Sequence, residues 1–180
     1  MGQQWVAFIR AINGSPHNRV RMADLAAMLA DVGCHGVTWH LQTGNMLFAA
    51  DAPAEELAAT IQERLEATGM RNADVLLRTP ADLAALVART PFAGLDGDAW
   101  QFEATFLRRP AADPDLSELV DGHGVQVRHQ DDGVVCFAFP RGGRMDGGFN
   151  GWIERRWKVP ATSRAWNVVE DVAAKAASLG

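Results

Sequence analysis

Hydrophobic spacing along residues 1–79 changes period in the order strand, helix, strand, strand, helix, strand, and few folds accept that order. Trp5 to Ile12 is almost wholly apolar until Arg10, as expected of a central strand covered on both faces. Met22, Leu25, Ala26, Met28, Leu29 and Val32 then recur at helical spacing, with Asp24 in the first turn and Gly33 closing the helix. Val37 to Leu41 and Met46 to Ala49 read as strands joined by a tight turn through Thr43-Gly44, where glycine suits a positive φ. Asp51 is expected to cap the next helix, whose inner face is Leu57, Ile61 and Leu65, and Asp74 to Arg78 is a fourth strand.

The second half is less regular. Thr79-Pro80-Ala81-Asp82 opens a helix by capping logic, and Pro91 ends it. Phe102, Ala104 and Phe106 alternate with Glu103 and Thr105 in a half-exposed strand. A short helix from Asp115 to Val120 leads to strands Val125 to His129 and Val134 to Phe139, joined through Asp132-Gly133. Pro140 to Gly148 reads as a Gly-rich loop, and helices Phe149 to Lys158 and Trp166 to Ser178 finish the chain. The expected fold class is α+β: two fused ferredoxin-like (split βαβ) units with extra C-terminal helices. Residues 1–79 form the first unit and 80–180 the second.

The bulk composition narrows the function. A chain of 180 residues that is 48% hydrophobic can bury a sizeable core, and no apolar run reaches the roughly 20 residues of a membrane helix. A formal charge of −5 argues against duplex nucleic acid, which is bound by displacing counterions with Lys and Arg. Cys34 and Cys136 lie far apart, outside any C-x-x-C spacing, as expected of reduced buried thiols in a cytoplasmic protein. The N-terminus lacks the basic n-region of a signal peptide.

Topology gives the first half a candidate site. In a split βαβ, strands one and two are parallel and strand three returns between them. Arg10 to Asn13 and Gln42 to Asn45 should therefore meet at one sheet edge, with Arg21 beside the N-terminus of the following helix. An anion there would find arginines, neutral amides, the Thr43 hydroxyl and backbone N–H groups. The connection from Asn13 to Arg19 is long for a β-to-α loop and suits a ligand cover. The bland alternative is that Arg10 ends a strand in a salt bridge and that Asn13 and Asn45 serve turns.

Four blocks carry a family resemblance: Phe-Ile-Arg-Ala-Ile-Asn at 8–13, Arg-Val-Arg-Met-Ala-Asp-Leu at 19–25, Leu-Gln-Thr-Gly-Asn at 41–45, and Ser-Arg-Ala-Trp-Asn-Val-Val at 163–169. They resemble the signature blocks of the domain of unknown function 1697 family. The resemblance implies a cytoplasmic bacterial protein of two ferredoxin-like units with no assigned activity, and it adds Arg164, Trp166 and Asn167 to the candidate ligand-binding residues. The family's usual Arg-Gly-Ile-Asn stands here as Arg10-Ala11-Ile12-Asn13, and its Gly-Gly-Lys-rich loop as Ser15-Pro16-His17-Asn18. A Ser-Lys pair expected in the Gly-rich loop is replaced near Asp146-Gly147. Those replacements remove lysines that an anion site would use.

No further motif assigns a reaction, and whether the chain is an enzyme stays open. The histidines form no H-x-x-x-H or H-E-x-x-H pair, so no metal site is expected; His17 is the one to watch as an acid or base. No G-x-x-x-x-G-K-[ST], G-x-G-x-x-G in strand-to-helix context, or G-x-S-x-G motif occurs, so neither a cofactor nor a catalytic residue is assigned. Trp166, beside Arg164 and Asn167 at a helix start, can pack in the core or stack on a base. The functional expectation is a small anionic or nucleotide-like ligand, with a single-stranded nucleic-acid binder or a protein-interaction module as alternatives.

Overall fold

The computed structural model describes residues 2–143 and 148–178. The replacement near Asp146-Gly147 lies outside them. The fold is mixed α+β, with two four-stranded antiparallel sheets and six α-helices among the described residues. Its contacts divide it into two compact units, Met1–Ala85 with Asp171–Gly180, and Leu86–Glu170.

The first unit runs β1 (Gln3–Ile9), α1 (Met22–Asp31), β2 (His35–His40), β3 (Asn45–Ala50), α2 (Ala54–Glu66) and β4 (Val75–Arg78), with a 3-10 turn at Pro16–Asn18. Strand order is β2-β3-β1-β4, so β1 and β2 are parallel with β3 antiparallel between them. The period-two pattern places Ala7, Ile9, Met46 and Phe48 on one face, against Leu25 and Leu29 of α1 and Leu57 and Ile61 of α2. Fully burying each such leucine or isoleucine contributes roughly 1.5–3 kcal/mol. Val6, Phe8, Leu47 and Leu76, on the opposite face, are also buried, which explains the unbroken apolar run of β1.

Helix ends follow local chemistry, with one correction. Gly33 leaves α1 at φ +89, a conformation that costs a glycine little. Helix α2 begins at Ala54 with Pro53 as its N-cap, so Asp51 falls short of the capping position expected of it. Helix α3 (Pro80–Ala88) opens with a reciprocal pair: Thr79 N–H donates to the Asp82 carboxylate at 2.8 Å, and Asp82 N–H donates to Thr79 Oγ1 at 3.0 Å.

The second unit runs β5 (Trp100–Leu107), α4 (Ser117–His123), β6 (Gln126–Gln130), β7 (Val134–Pro140), α5 (Gly148–Trp157) and β8 (Ala161–Ala165), followed by the start of α6 (Trp166–Ala177), whose residues from Asp171 belong to the first unit. Its strand order is β6-β7-β5-β8. Strand β8 lies between the two C-terminal helices, where the sequence pattern predicts no strand. It pairs antiparallel with β5 from Leu107 opposite Ala161 to Glu103 opposite Ala165. Leu107, Val135 and Phe137 form one face of this sheet against Leu119 of α4 and Phe149, Ile153 and Trp157 of α5. Phe137 and Phe149 stack at 4.4 Å, and Trp157 Nε1–H donates to Asp115 O at 3.2 Å.

Candidate functional site

The edge expected from topology is present in the first unit. Ile9 N–H donates to Gly44 O at 2.9 Å, and the Asn13 side-chain amide donates to Gln42 O at 2.7 Å and Val20 O at 3.1 Å. Asn13 Oδ1 also accepts from Val20 N–H at 2.9 Å. One side chain thus ties the end of β1, the turn before β3 and the approach to α1. Asn45 is fully buried, and its Nδ2 donates to His40 O at 3.0 Å and to Thr43 Oγ1 at 3.2 Å. Arg10 lies 3.7 Å from the Asp74 carboxylate, and its N–H donates to Asp74 O at 2.9 Å. The bland readings of Arg10, Asn13 and Asn45 therefore describe bonds these residues make.

Arg21 is different. Its side chain is 85% exposed and forks onto Asp24 through Nε and one terminal nitrogen, each at 2.8 Å. The hydrogen bond to Arg21 pulls the Asp24 carboxyl below its ordinary range, and Asp24 in turn raises the guanidinium. Gln42 and Thr43 are exposed beside the turn. Ala11, Asn13 and Leu41 all take left-handed φ values, 59°, 57° and 57°, so the edge is built from backbone that L-residues rarely adopt. Gly44 is required: at φ +77, an added Cβ would stand 2.7 Å from Ile9 O. The Asn13–Arg19 connection, expected as a ligand cover, is anchored. Buried Asn18 donates to Arg71 O at 2.7 Å and accepts from Arg71 N–H at 2.9 Å.

The other three sequence-derived residues lie around the β8-to-α6 junction of the second unit, and two of them line a cleft of about 610 Å³. Trp166 stands edge-on to Phe92 with ring centroids 5.1 Å apart, and Phe92 stacks on Phe102 at 4.6 Å. Asn167 and Glu170 follow Trp166 on α6, and Trp100 and Gln101 enter from β5. The wall is the segment from Thr90 to Ala99, held by two guanidiniums. Arg128 Nε–H donates to Pro91 O at 3.0 Å; Arg141 donates to Asp98 O at 3.1 Å and to Gly97 O.

Arg164 sits on the strand before the cleft and donates to Thr162 Oγ1 and Ser163 O, each at 2.8 Å. Burial lowers its pKa to about 10, against the pull of Glu103. Burial raises the Glu103 carboxyl, and the Ser163 hydroxyl and the Arg164 charge oppose that rise. Thr105 and Ser163 share a hydroxyl hydrogen bond at 2.8 Å across the same two strands.

The family model described as "Protein of unknown function (DUF1697)" matches residues 2–134, more than half of the chain. The chain belongs to the DUF1697 family. Its structure is similar to that of conserved bacterial protein SP0830 from Streptococcus pneumoniae, with a TM-score of 0.59 and 18% identity over 96% of this chain and 98% of that one. That likeness concerns the fold alone. No curated protein matches the chain.

In this DUF1697 chain the family pattern acquires a physical reason at position 11. The usual glycine of Arg-Gly-Ile-Asn suits the left-handed conformation that Ala11 adopts here at φ +59. The cleft contributes residues that the sequence reading passed over as binding groups: Phe92, Phe102, Gln101, Arg141 and Glu170. They come from four separate segments, so no local motif unites them. Among the described residues, no helix is long and apolar enough to cross a membrane, and no group of three or more His, Cys, Asp or Glu could hold a metal ion. His17 is exposed on the 3-10 turn. Cys34 and Cys136 are free and buried, and desolvation raises their thiols to about 11 and about 12, which makes them poor nucleophiles.

Proposed function

We propose that this DUF1697 protein binds a small nucleotide-like ligand, with the ligand's ring held in the cleft of the second unit. One observation carries the reading: a cleft of about 610 Å³ in which Trp166, Phe92 and Phe102 lie beside the exposed amide of Asn167. That volume falls in the usual range for small-molecule sites, and aromatic walls with few convergent polar groups are their usual lining. Stacking on one aromatic contributes about 1–3 kcal/mol for a base, and amides orient a ring by its polar edge. The sheet-platform mode of single-stranded nucleic-acid binding has less support. It tracks a charged backbone with Lys and Arg, and the chain carries a formal charge of −5.

A second reading places an anion at the edge formed by Arg10, Asn13, Arg21, Gln42, Thr43 and Asn45. It is favoured by the exposed Arg21 fork beside the exposed Gln42 and Thr43. The framework for both readings is two ferredoxin-like units, residues 1–79 and 80–180. The matching strand orders β2-β3-β1-β4 and β6-β7-β5-β8 support it. A reducing, cytoplasmic setting is supported by the two buried free thiols.

Calorimetry and tryptophan fluorescence with nucleosides, mononucleotides and inorganic phosphate test these readings. Binding of nucleosides that Asn167→Ala weakens about tenfold or more, with Arg21→Ala neutral, is the expected result. Binding that resists Asn167→Ala but is lost in Arg10→Ala and Arg21→Ala moves the site to the first unit. Absence of binding for every compound rejects both.

A further inference from the structure

We infer that the cleft selects a ring whose polar edge carries two adjacent hydrogen-bond donors, as guanine does, over adenine-type rings, and that phosphate adds nothing to its affinity there. This rests on the nucleotide-like reading of the same cleft. The first ground is its charge. Among the described lining residues Arg141 is the cation, and its guanidinium donates to the carbonyls of Asp98 and Gly97 while its backbone N–H donates to Ala99 O at 2.8 Å. It acts as a strap on the wall. Among the described lining residues the acid, Glu170, balances the charge of Arg141, so together they exert no net attraction on a phosphate.

The second ground is the placing of Glu170. It lies four residues after Trp166 and three after Asn167 on α6, spacings that put all three on one helix face. A ring seated in the cleft beside Trp166 would therefore present its edge to that face. An ionised carboxylate accepts hydrogen bonds and cannot donate them, and its two oxygens suit two adjacent donors. Guanine offers N1–H and the N2 amino group side by side on that edge. Adenine places the N1 acceptor beside its N6 amino group, so one carboxylate oxygen would face a lone pair. Hypoxanthine keeps N1–H and lacks the second donor. Asn167, with both a donor and an acceptor, serves either base and orients the ring without choosing it.

The experiment measures guanosine, inosine, adenosine and guanosine monophosphate on the full chain and on its Glu170→Gln and Asn167→Ala variants. Both side chains are exposed, so folding is retained, and thermal unfolding verifies it. Affinity is expected to fall in the order guanosine, inosine, adenosine, with about tenfold or more between the first and last, the scale of one good bidentate contact. Guanosine monophosphate should bind no more tightly than guanosine. Glu170→Gln should bring guanosine and adenosine within about threefold of each other. Equal binding of the two nucleosides by the wild-type chain overturns the inference. A preference that survives Glu170→Gln, or a monophosphate that binds about tenfold more tightly than its nucleoside, does the same. If Asn167→Ala removes equal binding of both nucleosides, the cleft reading stands and the base selection falls. If no nucleoside binds, both fall.

Discussion

The sheet edge of the first unit and the cleft of the second both gather polar residues and use them in opposite ways. At the edge, Asn13 and Asn45 turn their amides onto backbone carbonyls and a neighbouring hydroxyl, and Arg10 faces Asp74. At the cleft, Asn167 and Glu170 are exposed on a helix face beside aromatic rings, and Arg128 of β6 and Arg141 just after β7 donate to the main-chain carbonyls of the wall. The same strand order thus supports two uses of an amide: a brace where strained turns converge, and a free edge where a helix begins. A conspicuous Asn at a sheet edge marks a demanding backbone at least as well as it marks a ligand.

Substitutions can break that contrast. Gly44→Ala has the largest expected effect, a loss of about 2–4 kcal/mol in urea unfolding, because it adds a left-handed alanine and a contact 2.7 Å from Ile9 O. Asn45→Ala should cost about 1–3 kcal/mol, since it removes a fully buried amide and its bonds to His40 O and Thr43 Oγ1, whereas Asn167→Ala should stay within about 0.5 kcal/mol of wild type. Equal losses would erase the distinction between brace and free edge. Ala11→Gly should stabilise the fold by about 0.5–1 kcal/mol by relieving the φ +59 conformation; a loss would show that the turn tolerates alanine without strain.

The smallest effect concerns pH. Burial raises the Glu103 carboxyl above its ordinary value of 4.5, so its contribution to stability is complete below that value and is lost as pH rises through the folded-state pKa. Glu103→Gln should remove this decline. Thermal unfolding from pH 4 to pH 7 should show the wild-type midpoint dropping relative to the variant, and parallel curves would place Glu103 in ordinary solvent.

Most of the first unit was legible because its elements are long and consistently periodic, and because Gly33 and Gly44 stand where φ is positive. Strand β8 was not. Ala-Thr-Ser-Arg-Ala has little β propensity, follows a proline and carries the small hydroxyl residues that cap helices. Its strand identity comes from the exposed side of β5, a tertiary cause invisible to a local reading. Strand β1 shows the same limit: the apolar run to Ile12 ends as a strand at Ile9 because Ala11 and Asn13 turn left-handed. The edge was located by topology, while the use of its groups depended on bond partners as distant in sequence as Asn13 and Gln42. Trp166 and Asn167 came to notice through the family blocks. Phe102 reads as a strand residue and Phe92 enters no predicted element, since stacking between separate segments leaves no spacing to detect.

The two guanidinium straps on the wall of the cleft have a consequence for how this protein can change. Arg128 and Arg141 grip main-chain carbonyls, which every residue type supplies. Side chains along that wall can therefore be exchanged over evolutionary time while the frame keeps its shape. Substitution of exposed residues along the Thr90–Ala99 segment should therefore leave its path across the sheet's end unchanged.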